Sequence, residues 1–201
     1  FLFVSLLTDH AAIRAVNAFG VSLPVPAILR RPVVASLSAA GLLVFVLVLV
    51  AGTLGPPTPT ANLGVLVVWV GWWAGYAMST YLVANSWPAV NPWRTLARLR
   101  AGSAGRRLPR RYGVWPSVGF LLALVWIEVV TPLAANPRAL VAFVLAYTAV
   151  TLAGAARYGV DPWFDRVDPI SRVFRLYGRV APIRSASTDD GLRLRLPGAA
   201  L

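Results

Sequence analysis

The sequence predicts an all-α fold, a polytopic integral membrane protein with at least four transmembrane helices and amphipathic interfacial helices on the cytoplasmic side. Three observations carry that prediction. Apolar residues gather into four long runs. Arginine clusters in alternate connections between them. The arginine-rich connections contain proline-initiated stretches with an apolar and a basic face. Hydrophobic residues make up 58% of the 201 positions and charged residues 13%. That charged share is about half what a soluble domain uses to cover its surface, roughly 25%.

A bilayer-spanning helix needs about 20 predominantly apolar residues. The first run covers 33–54 and is densest over 43–50. The second covers 63–86 and carries Trp69, Trp72, Trp73, Tyr76 and Tyr81. The third covers 115–134 and the fourth 138–158. Buried helices of a soluble bundle would show a polar face, which these runs lack. The chain opens on Phe1-Leu2-Phe3-Val4-Ser5-Leu6-Leu7, which reads as the tail of a helix whose beginning is missing rather than as a signal peptide.

All 19 basic residues are arginine, against 7 acidic ones. Seventeen of them fall in segments 8–32, 87–114 and 159–201. Arg157 ends the fourth run and Arg138 borders the second short connection, while connections 55–62 and 131–137 themselves contain none. Positive charge is retained on the cytoplasmic side of membrane proteins, so the three basic segments are expected there and the two short connections outside. Arginine placed beside apolar runs fits an anionic membrane surface, so the lipid bilayer is the expected partner and nucleic acid is not. The expected location is a bacterial or archaeal plasma membrane. Without cysteine, disulfide frameworks and Cys-ligated metal centres are excluded from these residues.

Within the basic segments, Asn91-Pro92-Trp93 places a capping side chain before a proline at the first helical position. The helix that follows would present Trp93, Leu96, Ala97 and Leu99 on one side, with Arg94 and Arg98 opposite. Asp161-Pro162-Trp163 and Asp168-Pro169 repeat the device. After Pro169, Ile170, Val173, Phe174, Leu176 and Tyr177 share one arc, while Arg172, Arg175 and Arg179 share the other. Such a helix lies in the membrane interface or packs on a partner. The two Pro-Trp motifs read either as a repeated hairpin or as membrane-exit turns with Trp93 and Trp163 at the headgroup level.

Few residues offer chemistry. Glu128, the sole glutamate, sits within the third run about two turns from its outer end, some 8–10 Å at 1.5 Å per residue. An intramembrane carboxylate is costly and marks a proton or cation site, unless it is paired, with Arg138 nearest in sequence, or protonated. Asp161, Asp165 and Asp168 could hold Mg²⁺ or Ca²⁺ through oxygen ligands. Two helix caps and a pair with Arg166 or Arg172 explain the same spacing. His10, the sole histidine, follows Asp9 and reads as a solvated helix-start residue. No metal-ligand set, phosphate-binding glycine loop or Ser/His/Asp set appears, and no cofactor is indicated.

The order of motifs resembles a known family. Pro59-Thr60-Ala61-Asn62-Leu63 precedes the Trp-rich run and Asn91-Pro92-Trp93-Arg94 follows it. Tyr112-Gly113-Val114-Trp115-Pro116 opens the next run, which contains Trp126-Ile127-Glu128, and Tyr158-Gly159 precedes a further Trp. This pattern, over 60–201, is similar to actinobacterial and archaeal multi-pass membrane proteins labelled fenitrothion hydrolase, whose members are longer on both sides. The resemblance implies attack of activated water on an organophosphate triester, and it assigns no catalytic residue here. From the residues themselves, three functions are expected candidates. They are a membrane subunit or anchor of a larger assembly, a proton- or ion-coupled transporter using Glu128, and the hydrolase of the resemblance.

Overall fold

In a computed structural model the chain is mostly helical, and residues 19–100, 106–185 and 191–198 are described. The Phe1–Leu7 run, Asp9, His10 and Arg14 lie outside them. A strand β1 (Gly20–Pro24) leads into α1 (Ala27–Leu54), followed by α2 (Leu63–Leu82). Two short helices, α3 (Trp87–Val90) and α4 (Pro92–Leu99), precede α5 (Trp115–Val130) and α6 (Pro137–Tyr158). Helices α7 (Val160–Arg166) and α8 (Pro169–Tyr177) then lead to strands β2 (Ile183–Ser185) and β3 (Gly191–Arg195).

Three of these helices are long and apolar enough to cross a membrane: α1 over Ile28–Leu54, α2 and α6. The third run forms a shorter apolar helix of 16 residues. It stops at Val130, not at 134, because Thr131 precedes a proline and takes an extended conformation (φ −112°, ψ 150°). The proline ring crowds the α region of the residue before it. Helix α2 likewise ends at Leu82, short of the expected 86. Its middle, Val67–Tyr76, is wound as a π-helix, a rare winding associated with functional sites.

The expectation of an all-α chain is corrected at the basic end. β1, β3 and β2 form an antiparallel sheet in that order, with Val21 opposite Leu194 and Ile183 opposite Leu194 on the other side. Alternating Leu192, Leu194 and the flanking arginines give β3 the two-residue period of a strand. The Ile183 N–H donates to the Val83 carbonyl at 3.1 Å, which fixes the sheet to the end of α2.

The helices approach closely where glycine permits. A Cβ on Gly41 of α1 would lie 1.8 Å from the Val90 carbonyl oxygen of α3. One on Gly154 of α6 would lie 2.2 Å from the Trp163 ring. At the opposite end, Gly52 of α1 meets Val141 of α6, and Asn62 ties connection 55–62 to α1 through the Ala51 carbonyl at 2.9 Å. Connections 55–62 and 131–136 therefore lie at one end of the bundle. The described parts of the three arginine-rich segments converge at the other, where the Arg106 N–H donates to the Arg157 carbonyl at 3.0 Å.

Helices α4 and α8 are built into the bundle rather than laid beside it. In α8, Pro169, Ser171 and Phe174 are buried, while Leu176 and Tyr177, expected on the covered arc, are exposed. In α4, Arg94 is buried together with Trp93 and Ala97, and Leu99 is exposed. The two-sided pattern was thus offset by about one position on each helix. The polar contacts of Ser171 and Arg94 outweigh the apolar arc.

Candidate functional site

A groove of about 450 Å³ runs between α5 and the bundle of α1, α2 and α6, with α8 across its base. Its walls are aromatic. Phe174 enters from α8 and packs against Trp72 and Tyr76 of α2 at 5.6 and 5.4 Å between ring centres, and against Trp87 at 4.9 Å. Trp93 of α4 meets Tyr147 of α6 edge-on at 4.9 Å, and its indole N–H donates to Thr148 Oγ1 at 2.8 Å. Offset and edge-on ring pairs are favoured because the ring face is negative and its edge positive. The π-helical stretch of α2 supplies much of this wall.

The groove persists because α5 stands off. Its packing is chiefly against α8 and α7, and Ser117 is its one buried residue. Phe120 reaches Tyr147 at 5.8 Å, and beyond it Leu121, Leu124 and Val125 face the groove. Glu128 is also in the lining. It lies in the last turn of α5, two residues from the helix end, so it is shallower than the expected two turns. Its carboxylate is exposed at the mouth of the groove and makes no ion pair with Arg138 or any other described residue. The C-terminal pole of a helix carries partial negative charge, so α5 itself gives this carboxylate no compensation.

Below the groove the acidic residues are engaged with the chain itself. Asp161 does not cap α7, since the cap is Gly159 at φ 93°. Its carboxylate instead accepts from Arg94 at 2.5 Å and stands 3.6 Å from Arg98. The Arg94 hydrogen bond holds its carboxyl below the usual aspartate range. Asp165 pairs with Arg175 at 2.5 Å and lies 3.9 Å from Arg94. The partners are therefore Arg94, Arg98 and Arg175, not the expected Arg166 or Arg172. Arg94 and Arg98 come from α4, far along the chain from Asp161, whereas Arg175 lies 10 residues beyond Asp165 in α8.

Asp168 caps α8, accepting from the Ser171 N–H at 2.8 Å, and also accepts from the Tyr147 hydroxyl. Burial pushes its carboxyl above the ordinary range, partly offset by these hydrogen bonds and by Arg94. The three aspartates thus do not converge on one point. Among the described residues no group of three or more His, Cys, Asp or Glu side chains is placed to hold a metal ion.

Asn91 caps α4 through the Arg94 N–H at 3.0 Å, and its amide donates to Ser171 Oγ at 3.3 Å. The Trp87 indole donates to the same hydroxyl at 3.2 Å, so one serine joins α3, α4 and α8. Trp93 and Trp163, read as candidates for the headgroup level, are both buried. Trp163 lies flat on Tyr158, with 6.4 Å between ring centres and 7° between planes, and covers Gly154. The paired Pro-Trp motifs therefore start helices in different ways, one from an Asn cap and one from a glycine. Arg172 is half-buried on α8, Arg175 is exposed and held by Asp165, and Arg179 lies exposed just past the helix end.

Comparison with protein-family models, curated proteins and solved structures gave no match.

Proposed function

We propose that the chain is the ligand-holding part of a polytopic membrane protein, in which the groove takes an apolar molecule carrying a positive charge. The observation that supports this reading is Glu128, an unpaired carboxylate at the mouth of an otherwise apolar and aromatic groove. A volume of about 450 Å³ falls in the range of small-molecule sites, about 300–1,000 Å³. Aromatic faces attract cations, and the carboxylate supplies the single formal charge to meet one. This is the transporter-like reading of Glu128 in a more specific form. In it, α5 is the fourth span, and the converging arginine segments face the cytoplasm.

A second reading, a membrane subunit or anchor, is favoured by the outer face of α5. Leu122, Trp126 and Val129 are 65%, 66% and 77% exposed there. In that case a helix of another subunit would cover α5, and Glu128 would serve assembly.

The readings separate in a binding experiment on the whole protein in lipid nanodiscs. Tetraphenylphosphonium, an apolar cation, should quench tryptophan fluorescence saturably. Glu128→Gln keeps the shape of the side chain and should weaken that binding about tenfold, the equivalent of ~1.4 kcal/mol. Tetraphenylborate, the same shape with a negative charge, should show only non-saturable partitioning. Equal binding of the cation by wild type and the Gln variant would remove Glu128 from the site and leave the anchor reading.

A further inference from the structure

The arginine-rich end contains a second pocket, open and about 750 Å³ in volume, that the groove does not involve. Arg106, Arg107 and Arg166 line it, together with the apolar surfaces of Tyr158 and Pro162. We propose that this pocket binds the phosphodiester headgroup of an anionic phospholipid.

Three features support that assignment. The first is position. Tyr158 is the last residue of α6, a helix long and apolar enough to cross a membrane. Arg166 reaches the Gly113 carbonyl just ahead of α5, whose first residue, Trp115, is 74% exposed. The pocket thus lies where two apolar helices reach the same end of the bundle, at the level a headgroup would occupy.

The second feature is construction. Arg166 is held by three carbonyls, donating to Pro109 at 3.0 Å and to Leu108 and Gly113 at 3.4 Å. Those three bonds leave two of its five N–H groups for another acceptor. The Arg106 backbone is pinned to the Arg157 carbonyl, and Arg157 in turn lies over the Tyr158 ring at 5.8 Å. Tyr158 is itself fixed by its flat contact with Trp163. Arg166, Tyr158 and the Arg106 backbone are therefore in place before any ligand arrives.

The third feature is charge. Among the described residues, Arg106, Arg107, Arg157 and Arg166 form no ion pair, whereas Asp161 and Asp165 are occupied by Arg94, Arg98 and Arg175. Guanidinium groups match phosphate oxygens with paired hydrogen bonds. The apolar wall of Tyr158 and Pro162 suits the glycerol and upper acyl chain of a lipid better than free phosphate.

The test uses the full chain in neutral detergent, with lipid binding counted by native mass spectrometry. Phosphatidylglycerol and phosphatidylcholine with identical acyl chains are compared. The wild type should retain one phosphatidylglycerol in preference to phosphatidylcholine. R106Q/R107Q should bind it about 30-fold more weakly, the factor expected if each arginine near an anionic lipid contributes ~1 kcal/mol. R106K/R107K keeps the charge but not the paired hydrogen bonds and should lose only a few-fold. R100Q/R138Q removes the same charge away from the pocket and should bind as wild type does. Equal retention of the two lipids, or an equal loss in R100Q/R138Q, would overturn the proposal. So would displacement of the lipid by millimolar inorganic phosphate, since the pocket would then take a free anion. Binding by R106Q/R107Q at wild-type strength would overturn it as well.

Discussion

At the arginine-rich end of the molecule, helices α3, α4, α7 and α8 are joined by identified polar bonds. Ser171 links three of them, Asp168 joins α8 to α6, and Arg94 joins α4 to α7. Along α5, a helix just as apolar as its neighbours, Ser117 alone is buried and large side chains point outward. Hydrophobicity is therefore a poor guide to where this protein is tightly packed. In a membrane, apolar side chains find equal company in lipid, so close packing and hydrogen bonds decide which helices hold together. The basic end has both, while α5 has few and leaves a groove at its inner face.

The contrast can be broken most severely at Gly41. Gly41→Ala places a methyl group 1.8 Å from the Val90 carbonyl, a backbone atom that cannot rotate away. Alanine would favour the helix by ~1 kcal/mol on propensity alone. The clash should nevertheless dominate and destabilise by about 3 kcal/mol, the upper end of ordinary overpacking. Thermal unfolding in detergent would show it, and an unchanged or raised midpoint would mean that α1 and α3 are not in this contact.

A smaller effect, with a pH signature, is expected at Asp168. Burial raises its carboxyl above the ordinary 3.8. Between that value and the folded one, the folded chain holds a proton the unfolded chain has released, so stability falls as pH rises through the window. Asp168→Asn keeps a good helix cap and cannot ionise. Loss of one acceptor for Tyr147 or Ser171 should cost about 1 kcal/mol. As pH is raised from about 4, wild type should lose ground relative to the Asn variant and then level off. Parallel unfolding midpoints across pH would show that Asp168 ionises as readily in the folded chain as in the unfolded one.

The smallest effect should come from α5. Trp126 is 66% exposed on the face away from the bundle. Trp126→Ala should change stability in detergent by no more than about 0.5 kcal/mol, as for an exposed site without specific contacts. A loss of several degrees in the unfolding midpoint would mean that α5 is packed on its outer face, by a second copy of the chain or by another subunit.

Several features could be read directly from residue order. The apolar runs of α1, α2 and α6 follow from composition and length. The caps at Asn91 and Asp168 follow from a polar side chain placed before a proline, since both signals act within one helical turn. The stop of α5 at Val130 was also encoded locally, in Thr131-Pro132, and a purely hydropathic reading runs past it. Glu128 could be singled out by its type and its surroundings. Its place at the mouth of a groove could not, because the groove is made by α1, α2, α6 and α8 together.

The sequence by itself determined which segments are apolar, where positive charge accumulates and where several helices begin. Those properties depend on side-chain chemistry and on neighbours within a few residues. The tertiary structure decided what each polar group meets. Arg94 is 67 residues from Asp161, and Ser171 is 80 residues from Asn91, so no local rule pairs them. The sheet of β1, β3 and β2 was hidden for the same reason: its first strand lies about 170 residues ahead of its partner. A strand that short acquires its hydrogen bonds from distant chain, while a helix closes its own.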